Sequence, residues 1–117
     1  MSPSAGLSGK AAIAGIGATE FSKESGRSEL QLSAEATLAA LADAGIAPSE
    51  VDGLVTFTMD NSSEIALARE LGMGSLRFFS RINYGGGAAC ATVQQAAMAV
   101  ATAIAACCTV AHAAPPP

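Results

Sequence analysis

Leu76-Arg-Phe-Phe-Ser-Arg-Ile-Asn-Tyr-Gly-Gly-Gly-Ala-Ala-Cys90 decides how the rest of the chain is read. Phe78, Phe79, Ile82 and Tyr84 are aromatic and β-branched strand formers. Gly85, Gly86 and Gly87 then break the strand. From residue 88 to 106, Val93, Ala97, Val100 and Ile104 recur at helical spacing, and the flanks of that stripe are alanine. The stretch therefore reads as strand, glycine turn and helix. A helix that is apolar nearly all round is expected to be buried. Its N-terminus would aim free N–H groups at whatever occupies the turn.

Working outward, two more such units precede it. Residues 10–21 read as a buried strand running into a turn. Ser28 and Gln31 sit at capping-box spacing and open a helix that places Leu30, Ala34, Leu38 and Leu41 on one face. Gly45, with Pro48 beyond, ends it. Residues 54–58 read as a second strand, mixed enough to lie away from the sheet centre. Asn61 and Glu64 are a second capping pair, for a helix over 62–71 that Gly72 and Gly74 stop. The third strand covers 76–84. The order β-α-β-α-β-α argues an α/β fold with a parallel sheet. Residues 1–9 are expected to be a disordered tail and 107–117 an irregular, proline-ending tail, with 107–111 a poor strand at best.

Composition narrows the function. The 117 residues suit one small domain. Half are hydrophobic and only 14% are charged, which excludes a disordered chain. A net charge of −4 and an isoelectric point near 4.7 argue against nucleic acid as a partner. Thr92, Gln94, Gln95 and Thr102 argue against a membrane span in the alanine-rich segment. Three cysteines, two of them adjacent, make no disulfide framework, so a reducing, cytoplasmic setting is expected.

Four places could carry chemistry. Gly15-Ile-Gly17-Ala-Thr-Glu20 resembles part of a dinucleotide fingerprint, but Glu20 stands where the third glycine belongs and the next helix starts late. We read the two glycines as letting the backbone approach a neighbour. Gly85–Gly87 could aim N–H groups at an oxyanion or could be a tight turn, and both readings stay open. Cys90 in the first helical turn is a candidate nucleophile, against a plain small buried residue. Cys107, Cys108 and His112 form an incomplete metal set, since adjacent cysteines rarely share one tetrahedral ion.

The ordered pieces carry a resemblance. Residues 10–21, 34–46 (Ala-Glu-Ala-Thr-Leu-Ala-Ala-Leu-Ala-Asp-Ala-Gly-Ile), 51–55 and 83–92 are together similar to the thiolase superfamily, in particular to its thiolase-like lipid-transfer proteins of the sterol carrier protein X type. The resemblance covers 10–106 and implies a partial thiolase-like N-terminal domain. It is a three-layer arrangement in which the alanine-rich third helix is sandwiched between two sheets. It implies carbon–carbon cleavage of acyl-CoA thioesters, thiolytic or retro-aldol, in lipid or steroid side-chain degradation. Coenzyme A would be part of the substrate, with no covalently bound cofactor. A homodimer and an OB-fold partner are further implications. In the preferred register Gly86 or Gly87 takes the place of the thiolase nucleophile, with Cys90 a turn further on; a shifted register makes Cys90 the nucleophile. His112 does not match the family's catalytic histidine. The departure after residue 106 suggests a truncated or frame-shifted fragment, inactive alone. The family pattern would continue into a fourth strand beside the first; without it, the first strand would have an open edge and the third helix no second sheet to bury it. A dinucleotide-binding module and a non-catalytic interaction domain are the alternatives.

Overall fold

The computed structural model describes residues 8–20, 26, 28–57, 64–82 and 90–111. Among the described residues three α-helices and three strands alternate, with a 3-10 turn (Pro48–Glu50) after the first helix: α1 (Glu29–Ala44), β1 (Gly53–Phe57), α2 (Glu64–Leu71), β2 (Phe78–Ile82), α3 (Cys90–Ala101) and β3 (Cys108–Val110). The fold is α/β. Its sheet is parallel, in the order β2-β1-β3.

α1 begins as its capping box requires. Ser28 Oγ accepts from Gln31 N–H at 3.2 Å, and Gln31 Oε1 accepts from Ser28 N–H at 3.1 Å. It ends with Gly45 in the left-handed region at φ 72°, where Gly45 N–H reaches Ala42 C=O and Ile46 N–H reaches Leu41 C=O. α2 closes in the same way. Gly72 lies at φ 68° and Met73 N–H donates to Ala68 C=O at 3.0 Å. The Asn61 cap lies outside the described residues. On α1 the buried face is Ser33, Ala34, Thr37 and Leu41, while Leu38 is half exposed.

β1 corrects one expectation. It is the central strand, buried along its whole length, because β2 pairs with one of its edges and β3 with the other. Leu54 packs with Ala34, Leu67, Leu71 and Ala111, so α1 and α2 cover that face. α3 covers the other, where Ser80, in register with Val55, donates its hydroxyl to Gln95 Oε1.

Residues 11–20 correct another. They form no strand and pair with nothing in the sheet. Ile13 and Ile16 are 75% and 77% exposed. The segment lies against α1 instead. Ile16 N–H donates to Asp43 Oδ2 at 3.1 Å, and a Cβ at Gly15 or Gly17 would run into the α1 backbone at Ala40 or Ala36. The poor strand anticipated over 107–111 does form, as β3, and it pairs with β1.

α3 is shorter than expected. Its helix ends at Ala101, and Thr102 Oγ1 turns back to Met98 C=O at 2.8 Å. It is also not buried all round. Thr92, Ala96 and Ala99 face the sheet, while Val93, toward β3, and Met98, toward β2, are each 46% exposed, uncovered by any second layer among the described residues. Residues 107–111 are less irregular than expected. Asp52 carboxylate oxygens accept from the N–H groups of Ala106 and Cys107 at 3.0 and 2.9 Å, which turns the chain into β3.

Candidate functional site

In an open parallel sheet, the loops that leave the carboxyl ends of the strands are the usual place for a ligand. Here β1 and β2 run out at Phe57 and Ile82, and α2 and α3 start from the same end. Gly85, Gly86 and Gly87 belong to the β2–α3 connection and lie outside the described residues, as does His112. Cys90 is the first residue of α3 and is exposed.

The other two cysteines are at the opposite end of the sheet. α3 returns along the sheet over twelve residues, roughly 18 Å, before the chain reaches Cys107 and Cys108. These thiols are held protonated. Burial, reinforced by the Asp52 and Glu50 carboxylates, pushes Cys107 up. Burial, with Asp52 and Cys107, raises Cys108 to about 11. A thiol so placed is a poor nucleophile and a poor metal ligand. Among the described residues no group of three His, Cys, Asp or Glu side chains is placed to hold a metal ion.

Asp52 is the ionised counterpart of these thiols. Its partial burial alone would raise its pKa. The Cys107 and Ala106 N–H groups, helped by its own N–H and by the charge of Arg77, outweigh that and hold it below the ordinary carboxylate value. Its role is to fix the turn into β3.

Gly15 and Gly17 do not form a phosphate-binding turn between a strand and a helix N-terminus. They are pressed on the side of α1, which is the close approach of backbones expected of them and which overturns the dinucleotide alternative. Sequence reasoning did not anticipate the groove that this packing creates. It has a volume of about 620 Å3 and runs between α1, α3, residues 11–17 and β3. The signal for it was the alanine content of both helices, which leaves space where larger side chains would fill it.

Among the described residues no helix is long and apolar enough to cross a membrane. No protein-family profile matches the chain. Over 98 residues it is 77% identical to a steroid side-chain-cleaving aldolase of Thermomonospora curvata, an alignment covering 84% of this chain and 25% of that protein. It is 73% identical over 98 residues to 17-hydroxy-3-oxo-4-pregnene-20-carboxyl-CoA lyase of Mycobacterium tuberculosis, again over 25% of that protein. A chain of the solved Ltp2-ChsH2(DUF35) aldolase superposes with a TM-score of 0.82 at 77% identity, covering 85% of this chain and 26% of that one. The chain is therefore homologous to enzymes of steroid side-chain cleavage, and it spans about a quarter of the length of the relatives it matches.

Proposed function

We propose that this chain supplies one α/β unit of a thiolase-like aldolase that cleaves a carbon–carbon bond in the acyl-CoA thioester of a steroid side chain. The observation that carries the reading is the 77% identity to a steroid side-chain-cleaving aldolase, joined to a matching fold.

In a retro-aldol step a base removes the proton of the β-hydroxyl. The bond between the α and β carbons breaks, and a ketone or aldehyde is left on the steroid side. The electron pair passes to the α carbon as a thioester enolate, which a proton then quenches. The enolate oxygen needs N–H donors. The β2–α3 connection at Gly85–Gly87 and the first turn of α3 are the part of this chain suited to that task. The thiol of Cys90, the first residue of α3, is not required by a retro-aldol route. The base and the remaining site come from the rest of the enzyme, as does any homodimer contact or OB-fold partner. Coenzyme A enters as part of the substrate.

The test is a chimera. The aligned segment of the Thermomonospora relative is replaced by the corresponding residues of this chain and assayed with a β-hydroxyacyl-CoA thioester, with and without Cys90→Ala. Turnover retained in both supports the retro-aldol reading. Thiolysis instead needs a 3-ketoacyl-CoA and free CoA, so turnover of that pair by the chimera, lost in Cys90→Ala, shows a cysteine-dependent, thiolytic route. A folded chimera with no turnover overturns the assignment.

A further inference from the structure

Cys107 and Cys108 are neighbours in sequence, both are free, and both border the groove between α1, α3 and β3. Their backbone is held from the β1 side. Cys107 N–H donates to Asp52 Oδ1 at 2.9 Å, and Cys107 C=O accepts from Asp52 and Gly53 N–H at 3.1 Å. Cys108 opens β3 in register with Gly53. A Cβ at Gly53 would collide with Cys108 Sγ, so glycine there leaves room for the thiol. The wall that α3 supplies is apolar: Ala96, Ala97 and Val100. The retro-aldol chemistry proposed above uses neither thiol.

Charge decides what such a pair can hold. Zinc and similar divalent ions bind thiolate, so both protons would have to leave. Burial and the Asp52 carboxylate oppose that at both sulfurs. Trivalent arsenic needs no anion. An organic arsenous acid, R–As(OH)2, condenses with two thiols: two S–H and two As–OH bonds break, two As–S bonds form, and two waters leave. Arsenic stays trivalent and the product is neutral, so what opposes thiolate does not oppose the adduct. The low nucleophilicity of a neutral thiol slows the exchange without moving its end point. Adjacent cysteines rarely share a tetrahedral ion, but this pyramidal centre asks the protein for two sulfurs only, and R fills the third place. R then has an apolar groove of about 620 Å3 to enter.

We propose that Cys107 and Cys108 form a dithiol site that captures an organic trivalent arsenical, with the organic group lodged in the groove beside β3.

The probe is phenylarsine oxide on the reduced full chain, read by intact mass. One phenylarsenic group is expected per chain. It should survive excess 2-mercaptoethanol, which strips an arsenical from a single thiol, and should be released by 2,3-dimercaptopropanol. Cys90→Ala is expected to keep the adduct. Cys107→Ser and Cys108→Ser are each expected to lose it, with the circular dichroism unchanged, and peptide mapping of the parent adduct should place it on the 107–108 pair. The ratio of phenylarsine oxide affinity to arsenite affinity is expected to fall at least about tenfold in urea, where the groove is lost. Three results would overturn the site. One is no monothiol-resistant adduct on the parent chain. Another is an adduct that maps to Cys90. The third is an affinity ratio that urea leaves unchanged, which would remove the groove from the account.

Discussion

Ala103 closes α3 in a conformation that suits glycine. Its φ is 62°, Ala103 N–H donates to Val100 C=O at 3.1 Å, and Ile104 N–H donates to Ala99 C=O at 3.0 Å. Gly45 and Gly72 fill the same position after α1 and α2. A Cβ in the left-handed region costs roughly 1 kcal/mol. Ala103→Gly is therefore expected to stabilise the chain by up to about 1 kcal/mol, read as a higher denaturant midpoint with an unchanged slope. A lower midpoint would show that Ala103 carries packing this geometry does not reveal. Asp52 gives a second residue-scale prediction. Its pKa in the folded chain lies below the ordinary value of 3.8, so its contribution is complete above that value. It is lost as pH falls through the lower, folded value. Stability should therefore decline on acidification below about pH 4, and Asp52→Asn should flatten that part of the curve. An Asp52→Asn chain with the same acid limb as the parent would remove Asp52 from the account.

The ends of α1 and α2 were legible because their signals are local. Ser28, Gln31, Gly45 and Gly72 each do their work within five residues of where they stand. The end of α3 was not, since Ala103 carries no mark of a left-handed turn. The centrality of β1 was hidden for a different reason. Whether Leu54, Val55, Thr56 and Phe57 are covered on both sides depends on which strands take their edges, and that is decided by residues far away in the sequence. Residues 10–21 were misread because an apolar run reports a wish for burial and not the surface that satisfies it; the described part of this run lies against α1. The two glycines were read correctly as close-approach positions, but their neighbour is a helix. Of the candidate site, the separation of Cys107 and Cys108 from Cys90 follows only from the length of α3. The close approach at Gly17 yields an element-scale prediction. Gly17→Val forces the segment away from Ala36 and Ala40. Limited proteolysis within 11–20 should accelerate, while global stability moves by less than about 1 kcal/mol, because the segment adds little to the core. A large global loss would mean that the segment is part of the cooperative unit.

At the scale of the molecule, apolar surface is left uncovered on both flanks of the sheet. Beyond Ile13 and Ile16 on the β3 side, Phe79 is 65% exposed on the outer strand β2, and Met98 and Ile104 are each 46% exposed beside it. These three, with Phe78, border a shallow hollow of about 330 Å3 between β2 and the outer part of α3. An outer strand with an open edge and a large exposed aromatic is a template for association, and natural proteins guard such edges with charge. β2 has Arg81 as its one charged residue. In an enzyme roughly three times as long, the remaining chain can cover such a face; in this chain nothing among the described residues does. Light scattering should therefore show a mass that climbs with protein concentration. Phe79→Lys combined with Met98→Lys places two like charges on the hollow. The pair should hold the mass at that of one chain over the same range, with the circular dichroism unchanged. Neither side chain belongs to the fully buried core, so the fold should tolerate both changes. A parent chain that stays monomeric throughout would show that the exposed face is too small or too polar to drive association. A double variant that still associates would move the contact to the β3 flank, where residues 11–17 and the free strand edge lie.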